Sequence, residues 1–189
     1  MSKATVSGRQ TTNTFAYMFV GAKAMLEQAE RDQNGQLYNL VSCLIYCAFT
    51  IEAYLNHLGQ LKHDDWDRKE RSLSKLKKFK TLCGEADIEP DFSQRPYSTL
   101  HELFAFRDRM AHGKTTTESV RKEVDLPGDS FRLTTESEWQ EYSTIGNARR
   151  AIEDTEQLVK ELHKKSGQNG NPMNYLGGGI FGVQRHNAT

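Results

Sequence analysis

The sequence predicts an all-α fold, an up-and-down bundle of about five helices. Three observations carry this. Apolar residues recur at three- and four-residue spacing through five segments. Helix starters and breakers punctuate those segments, and only four prolines occur in 189 residues.

Phe15, Met18, Phe19, Ala22, Met25, Leu26 and Ala29 mark the first helix, with Asn13 or Thr14 as its cap. Asn34-Gly35 breaks the chain. Gln36 to Leu58 reads as a second helix, apolar on nearly every side, the pattern of a central bundle member, with Gly59 as its stop. His63 to Arg71 reads as a charged connection. The third helix starts near Ser72 and buries Leu73, Leu76, Phe79 and Leu82, and Gly84 ends it. The fourth begins near Pro96 or Ser98 and runs to His112, with Gly113 following.

Residues 119–133 suit either a short hairpin or an irregular loop around Leu126-Pro127-Gly128-Asp129. The fifth helix starts near Thr135, which has capping-box spacing to Glu138, and ends near His163. The expected organisation is a flexible leader at 1–12, a bundle at 13–165 and a Gly/Asn-rich flexible tail at 166–189. In that tail Tyr175, Leu176, Ile180 and Phe181 are candidates for docking on a partner.

Twenty-five basic residues balance twenty-five acidic ones, for a formal net charge of zero. Neutrality argues against a general nucleic-acid coat or a basic membrane binder, not against a local basic patch. The uncharged run before Glu52 falls short of the roughly 18 apolar residues a spanning helix needs. The start of the chain has no apolar stretch of the secretory kind. Cys43, Cys47 and Cys83 lack metal-finger spacing and read as small buried hydrophobes. A soluble, cytoplasmic protein without membrane contact is expected.

The fourth helix carries the chemistry. Its apolar stripe runs through positions 100, 103/104, 107 and 110/111, so Arg107 stands on the core-facing side, where a guanidinium is costly unless paired. Glu52 is the matching anomaly on the second helix, beside Val41, Ile45, Ala48 and Leu55. The two are expected to face each other or share a cleft, within about 8 Å, roughly the reach of a paired or bridged contact. His112 is five residues beyond Arg107, a rotation of about 140° on an ideal helix, so the two side chains do not share a face. Asp108, four before His112, is placed to hold its imidazole in one tautomer.

Arg107-Asp108-Arg109-Met110-Ala111-His112 resembles the Arg-polar-x-x-x-His signature of HEPN (higher eukaryotes and prokaryotes nucleotide-binding) domains. Phe49 to Asn56 and the Ser72-Leu73-Ser74-Lys75-Leu76 entry are similar to other segments of that family, and the likeness covers about residues 15–163. The resemblance implies a helical bundle, often a homodimer, with two motif copies facing each other across the interface. That pairing removes the 140° difficulty. It also implies metal-independent endoribonuclease activity on single-stranded RNA through the ribose 2′-hydroxyl, in toxin–antitoxin, phage-defence or RNA-processing settings. Arg107 and His112 would be catalytic, Asp108 would orient the site, Glu52 would support it, and an antitoxin or effector protein is a candidate partner. Other family members have lost catalysis and bind nucleotides or proteins, so a silent helical module is the alternative.

The run Lys69 to Lys80 holds six cations against Glu70. It is a candidate phosphate track through Lys75, Lys77 and Lys78, joined by Arg109 and Lys114. Tyr97 and Trp66 can stack a base but fit packing better. No cofactor or metal is expected. His57, His63, Asp64, Asp65 and Asp67 lack ligand spacing, and Gly177-Gly178-Gly179 is not a phosphate loop.

Overall fold

In the computed structural model, which describes residues 4–115, 117, 119 and 137–185, the first described element is a strand. β1 (Ala4–Thr12) pairs antiparallel with β2 (Gly177–Arg185), with Ala4 opposite Arg185 and Thr12 opposite Gly177. The fold is therefore mostly helical with a small two-stranded ribbon, not purely all-α. The sequence reading treated both ends as flexible extensions, and over these residues that is corrected. The physical reason is alternation. Val6, Val183 and Phe181 fall on one face of the ribbon. Phe181 covers Gly8 and Gly179 on the same face; a Cβ on Gly8 would stand 2.6 Å from the Phe181 ring.

Asn13 ties the ribbon to the bundle. Its backbone N–H donates to the Leu176 carbonyl and its Nδ2 to the Tyr175 carbonyl, each at 2.9 Å. Committed there, the side chain does not cap α1 (Thr14–Arg31), although Asn13 holds the N-cap position. Gly35, at φ 72°, takes the left-handed conformation that lets the chain reverse into α2 (Gln36–Lys62).

Gly59 is not the stop that the sequence suggests, because α2 runs through it to Lys62. The indole of Trp66 lies against its bare Cα, where any Cβ would fall inside the ring atoms. Trp66 opens a short helix, α3 (Trp66–Ser72), where the sequence reads a charged connection. α4 (Lys75–Glu85) starts at the Ser74 cap, whose Oγ accepts from the Lys77 N–H at 3.3 Å, rather than at Ser72. α5 (Tyr97–His112) follows a cis Arg95–Pro96 bond and ends at Gly113.

The expected fifth helix is two. α6 (Glu138–Tyr142) and α7 (Ile145–Lys165) are separated at Ser143-Thr144. Thr144 Oγ1 accepts from the Asn147 N–H at 3.1 Å, and Asn147 Nδ2 donates to the Tyr142 carbonyl at 2.8 Å. Those bonds finish one helix and start the next. α6 is closed by Gln140, whose Oε1 accepts from the Ser137 N–H at 2.9 Å. Thr135 and, save for Ser119, the hairpin region at 119–133 lie outside the described residues.

α2 touches α1, α3, α4, α5 and α7, and buries Leu44, Ile51, Tyr54, Leu55 and Leu58 among them. It is long and apolar enough by length and composition to cross a membrane, contrary to the sequence estimate. Yet 44% of that window is already buried in the bundle, as a core helix requires. The three cysteines are free and buried. A short 3₁₀ turn, Pro172–Asn174, packs Pro172 and Met173 on α1 and α7, so the bundle extends past residue 165. Just ahead of α5, Arg95 grips the buried carboxylate of Asp154 on α7 with Nε to Oδ2 at 2.9 Å and Nη2 to Oδ1 at 2.8 Å.

Candidate functional site

α2 and α5 cross so that Arg107 meets Glu52. Arg107 Nη2 stands 3.5 Å from Glu52 Oε2, and the two side chains are only 24% and 23% exposed. The two anomalies in the apolar stripes thus answer each other, one charge offsetting the desolvation of the other. One turn before Glu52, Phe49 presents its ring to the guanidinium, with Cζ 5.5 Å from the centroid. Sequence reasoning missed Phe49, although its i, i+3 spacing to Glu52 was the available signal.

Asp108 does not hold His112. Both of its oxygens accept from Lys75 Nζ, at 2.8 and 3.0 Å, and Oδ1 also accepts from Arg107 Nη1 at 2.9 Å. The expected Asp108–His112 contact is corrected because α4 delivers a cation to that carboxylate first. Partial burial opposes ionisation of Asp108. The hydrogen bonds from Lys75 and Arg107 outweigh it and hold the carboxyl below the usual range. Glu52, Arg107, Asp108 and Lys75 therefore form one chain of alternating charge across α2, α5 and α4.

His112 is exposed at the last position of α5, and its imidazole has no hydrogen-bond partner among the described residues. It is open to solvent at the end of the helix that carries Arg107. The ideal-helix argument puts it on the row of His101, Ala105 and Asp108, at spacings of 4, 3 and 4 residues, rather than on the row of Arg107.

The proposed phosphate track divides. Lys77 and Lys114 are exposed. Lys75 is committed to Asp108, with Phe104 below it at 5.9 Å. Lys78 is corrected outright: it is 6% exposed, and its Nζ donates to Asn56 Oδ1 at 2.9 Å. It lies on the inner face of α4 beside Phe79 and Leu82, where its stem packs and its charge is satisfied by an amide. Arg109 is 44% exposed and pairs with Glu138 at 2.6 Å.

Of the two candidate stacking rings, Trp66 is buried over Gly59, and Tyr97 donates its hydroxyl to Glu161 Oε2 at 3.0 Å. Both pack. Among the described residues no group of three or more His, Cys, Asp or Glu side chains is arranged to hold a metal ion. His63 instead meets Glu85 at 3.0 Å.

On the other flank of α5, sequence reasoning missed a second polar arrangement. Glu102 accepts from Arg150 Nη2 at 2.5 Å and from the Tyr142 hydroxyl at 3.0 Å. It forms one wall of a cleft of about 430 Å³ between α5 and α6. Comparison with known protein families, with curated proteins and with solved structures finds no match for this chain.

Proposed function

We propose that the protein is a metal-independent endoribonuclease of HEPN type that cleaves single-stranded RNA as a homodimer. The observation that carries this reading is the Arg107–Glu52 pair at 3.5 Å on a helix whose last residue, His112, is exposed and has no partner among the described residues. An arginine held but still a quarter exposed is poised for a phosphate. An imidazole with neither nitrogen engaged by the described residues can take or give a proton.

In the reaction, the ribose 2′-oxygen attacks phosphorus as His112 accepts its proton. The phosphorus–O5′ bond breaks, and a protonated imidazole, the partner subunit's His112, returns a proton to O5′. The products are a 2′,3′-cyclic phosphate and a 5′-hydroxyl. Arg107 neutralises charge developing on the non-bridging oxygens. Asp108 and Glu52 act by fixing the guanidinium. DNA, lacking the 2′-hydroxyl, is refractory.

Pairing of two copies is supported by two exposed aromatic side chains on one side of α2. Tyr38 and Phe49, eleven residues apart and so within about 20° on the helix, are 77% and 36% exposed and lead to Arg107. A cytoplasmic toxin–antitoxin or phage-defence role, with an antitoxin or effector partner, rests on the family resemblance alone.

A second reading has its own support. Arg107 already has Glu52, Asp108 and Phe49 as partners, which suits a structural arginine in a silent module that binds a nucleotide or a protein. The test is cleavage of single-stranded RNA in excess EDTA by wild type, Arg107→Ala and His112→Ala, with a 2′-deoxy substrate as control. The nuclease reading expects wild-type cleavage to cyclic-phosphate ends and loss of at least about 100-fold in each variant, within the usual range for a general acid or base. Complete absence of cleavage in wild type favours the silent module, and cleavage that survives His112→Ala removes His112 from the mechanism.

A further inference from the structure

The cleft between α5 and α6 has the makings of a base pocket. Along α5, His101, Ala105 and Arg109 recur at four-residue spacing and line it, with small Ala105 between the two larger side chains. Trp139 and Tyr142 on α6 supply aromatic lining. His112 follows Arg109 by three residues, so on an α-helix it is the next side chain beyond that row. The volume, about 430 Å³, suits a small planar ligand.

The polar groups around the cleft are unequally engaged. Glu102 is held by Arg150 and Tyr142. The carboxylate of Glu141 has no hydrogen-bond partner among the described residues and stands as a free acceptor. Arg109 is held by Glu138, which is 80% exposed, and a pair so open to water is readily exchanged for a phosphate, which a guanidinium can also bind through two hydrogen bonds.

We infer that this cleft receives one base of a single-stranded RNA, stacked against Trp139, with its phosphate on Arg109 and its amino edge toward Glu141. Adenine, cytosine and guanine carry exocyclic or ring N–H groups that a carboxylate accepts. Guanine presents two such donors side by side. Uracil presents one N–H between two carbonyls that a carboxylate repels. The cleft therefore favours guanine most and uracil least. The link to cleavage rests on the nuclease reading, under which the pocket sets the base next to the scissile bond. The binding itself does not.

The test is equilibrium binding of GMP, AMP, CMP and UMP by calorimetry in EDTA, on wild type, Trp139→Ala, Trp139→Phe and Arg109→Gln. A 2′-O-methyl oligoribonucleotide serves as competitor. Mononucleotides offer no scissile bond, so the result is independent of whether RNA is cut. Saturable binding with GMP tightest and UMP weakest is expected. Trp139→Ala should weaken it about tenfold, as loss of one stacked base does, and Trp139→Phe should retain most of it. Arg109→Gln should weaken GMP but not guanosine. Binding that is absent for all four nucleotides, or untouched by both Trp139→Ala and Arg109→Gln, overturns the pocket. An oligomer that fails to displace GMP overturns the RNA strand as its ligand. Binding without any RNA cleavage leaves the pocket standing and removes only the nuclease reading.

Discussion

Lys75 donates to both carboxylate oxygens of Asp108, at 2.8 and 3.0 Å, and so fastens α4 to the motif-bearing end of α5. The pair joins two segments that the sequence reading kept apart, a lysine-rich helix face and an arginine-led motif.

Asp108→Asn should therefore cost stability in a pH-dependent way. The folded-state pKa of Asp108 is lowered by Lys75 and Arg107 against an opposing contribution from burial. Its stabilisation is then fully present above the unfolded value of about 3.9 and is lost as pH falls through the lower folded value. The difference in urea midpoint between wild type and Asp108→Asn should be constant at pH 6–7 and shrink below about pH 4. Since the carboxylate is 44% exposed, the effect at neutral pH should be up to about 1 kcal/mol. A difference that grows on acidification would refute the assignment.

Glu52→Gln addresses the other side of Arg107. It leaves a largely buried guanidinium with Asp108 as its remaining acid and should lower stability by about 1–2 kcal/mol, between the values for exposed and fully buried pairs. The discriminating measurement is a double-mutant cycle with Arg107→Met. A coupling near zero would mean that the 3.5 Å approach has no energetic content.

Gly59→Ala separates local propensity from packing by sign. In an exposed helix interior, alanine for glycine stabilises by about 1 kcal/mol. Here the new methyl would fall on the Trp66 ring, and overpacking of that kind costs about 1–3 kcal/mol. Gly84→Ala, where a Cβ meets nothing within 4 Å, is the control and should follow propensity. Chemical denaturation of the two variants should give opposite shifts, and a stabilised Gly59→Ala would show that Trp66 yields freely.

Those glycines show what could be read from the sequence and what could not. Periodicity located α1, α2, α4 and α5, because one-sided burial leaves a repeating trace. Glu52 and Arg107 were readable as a pair because each breaks an apolar stripe, and a buried charge demands a partner. Gly59 misled because a stop glycine and a glycine that seats an indole look alike until Trp66 is folded over it. The ribbon was hidden because its strands are about 165 residues apart in the chain and β2 is rich in glycine. Lys78 was hidden because a lysine satisfied by Asn56 across a helix interface carries no local mark of burial. The Asp108–His112 contact was read from i, i+4 spacing alone, and Lys75, which takes that carboxylate, lies outside any local window.

His57 of α2 and His163 of α7 both stand beside the Tyr54 ring. The Tyr54 hydroxyl and His163 Nδ1 are 3.0 Å apart, and His163 Nε2 is 3.0 Å from the Asn169 carbonyl. The Asn169 carbonyl only accepts, so Nε2 donates to it, while the Tyr54 hydroxyl can serve Nδ1 as donor or as acceptor. His57, 5.0 Å from the ring of Phe15, has its pKa lowered by burial first and by the nearby His163 second. A base whose folded pKa lies below its unfolded value of about 6.5 binds protons more readily when unfolded. The fold is therefore at full strength above that value and weakens as pH falls through it. Urea midpoints should drop between pH 7.5 and 5.5 in wild type and drop less in His57→Phe, which keeps an aromatic ring against Phe15. An equal drop in both proteins would place the titrating group elsewhere.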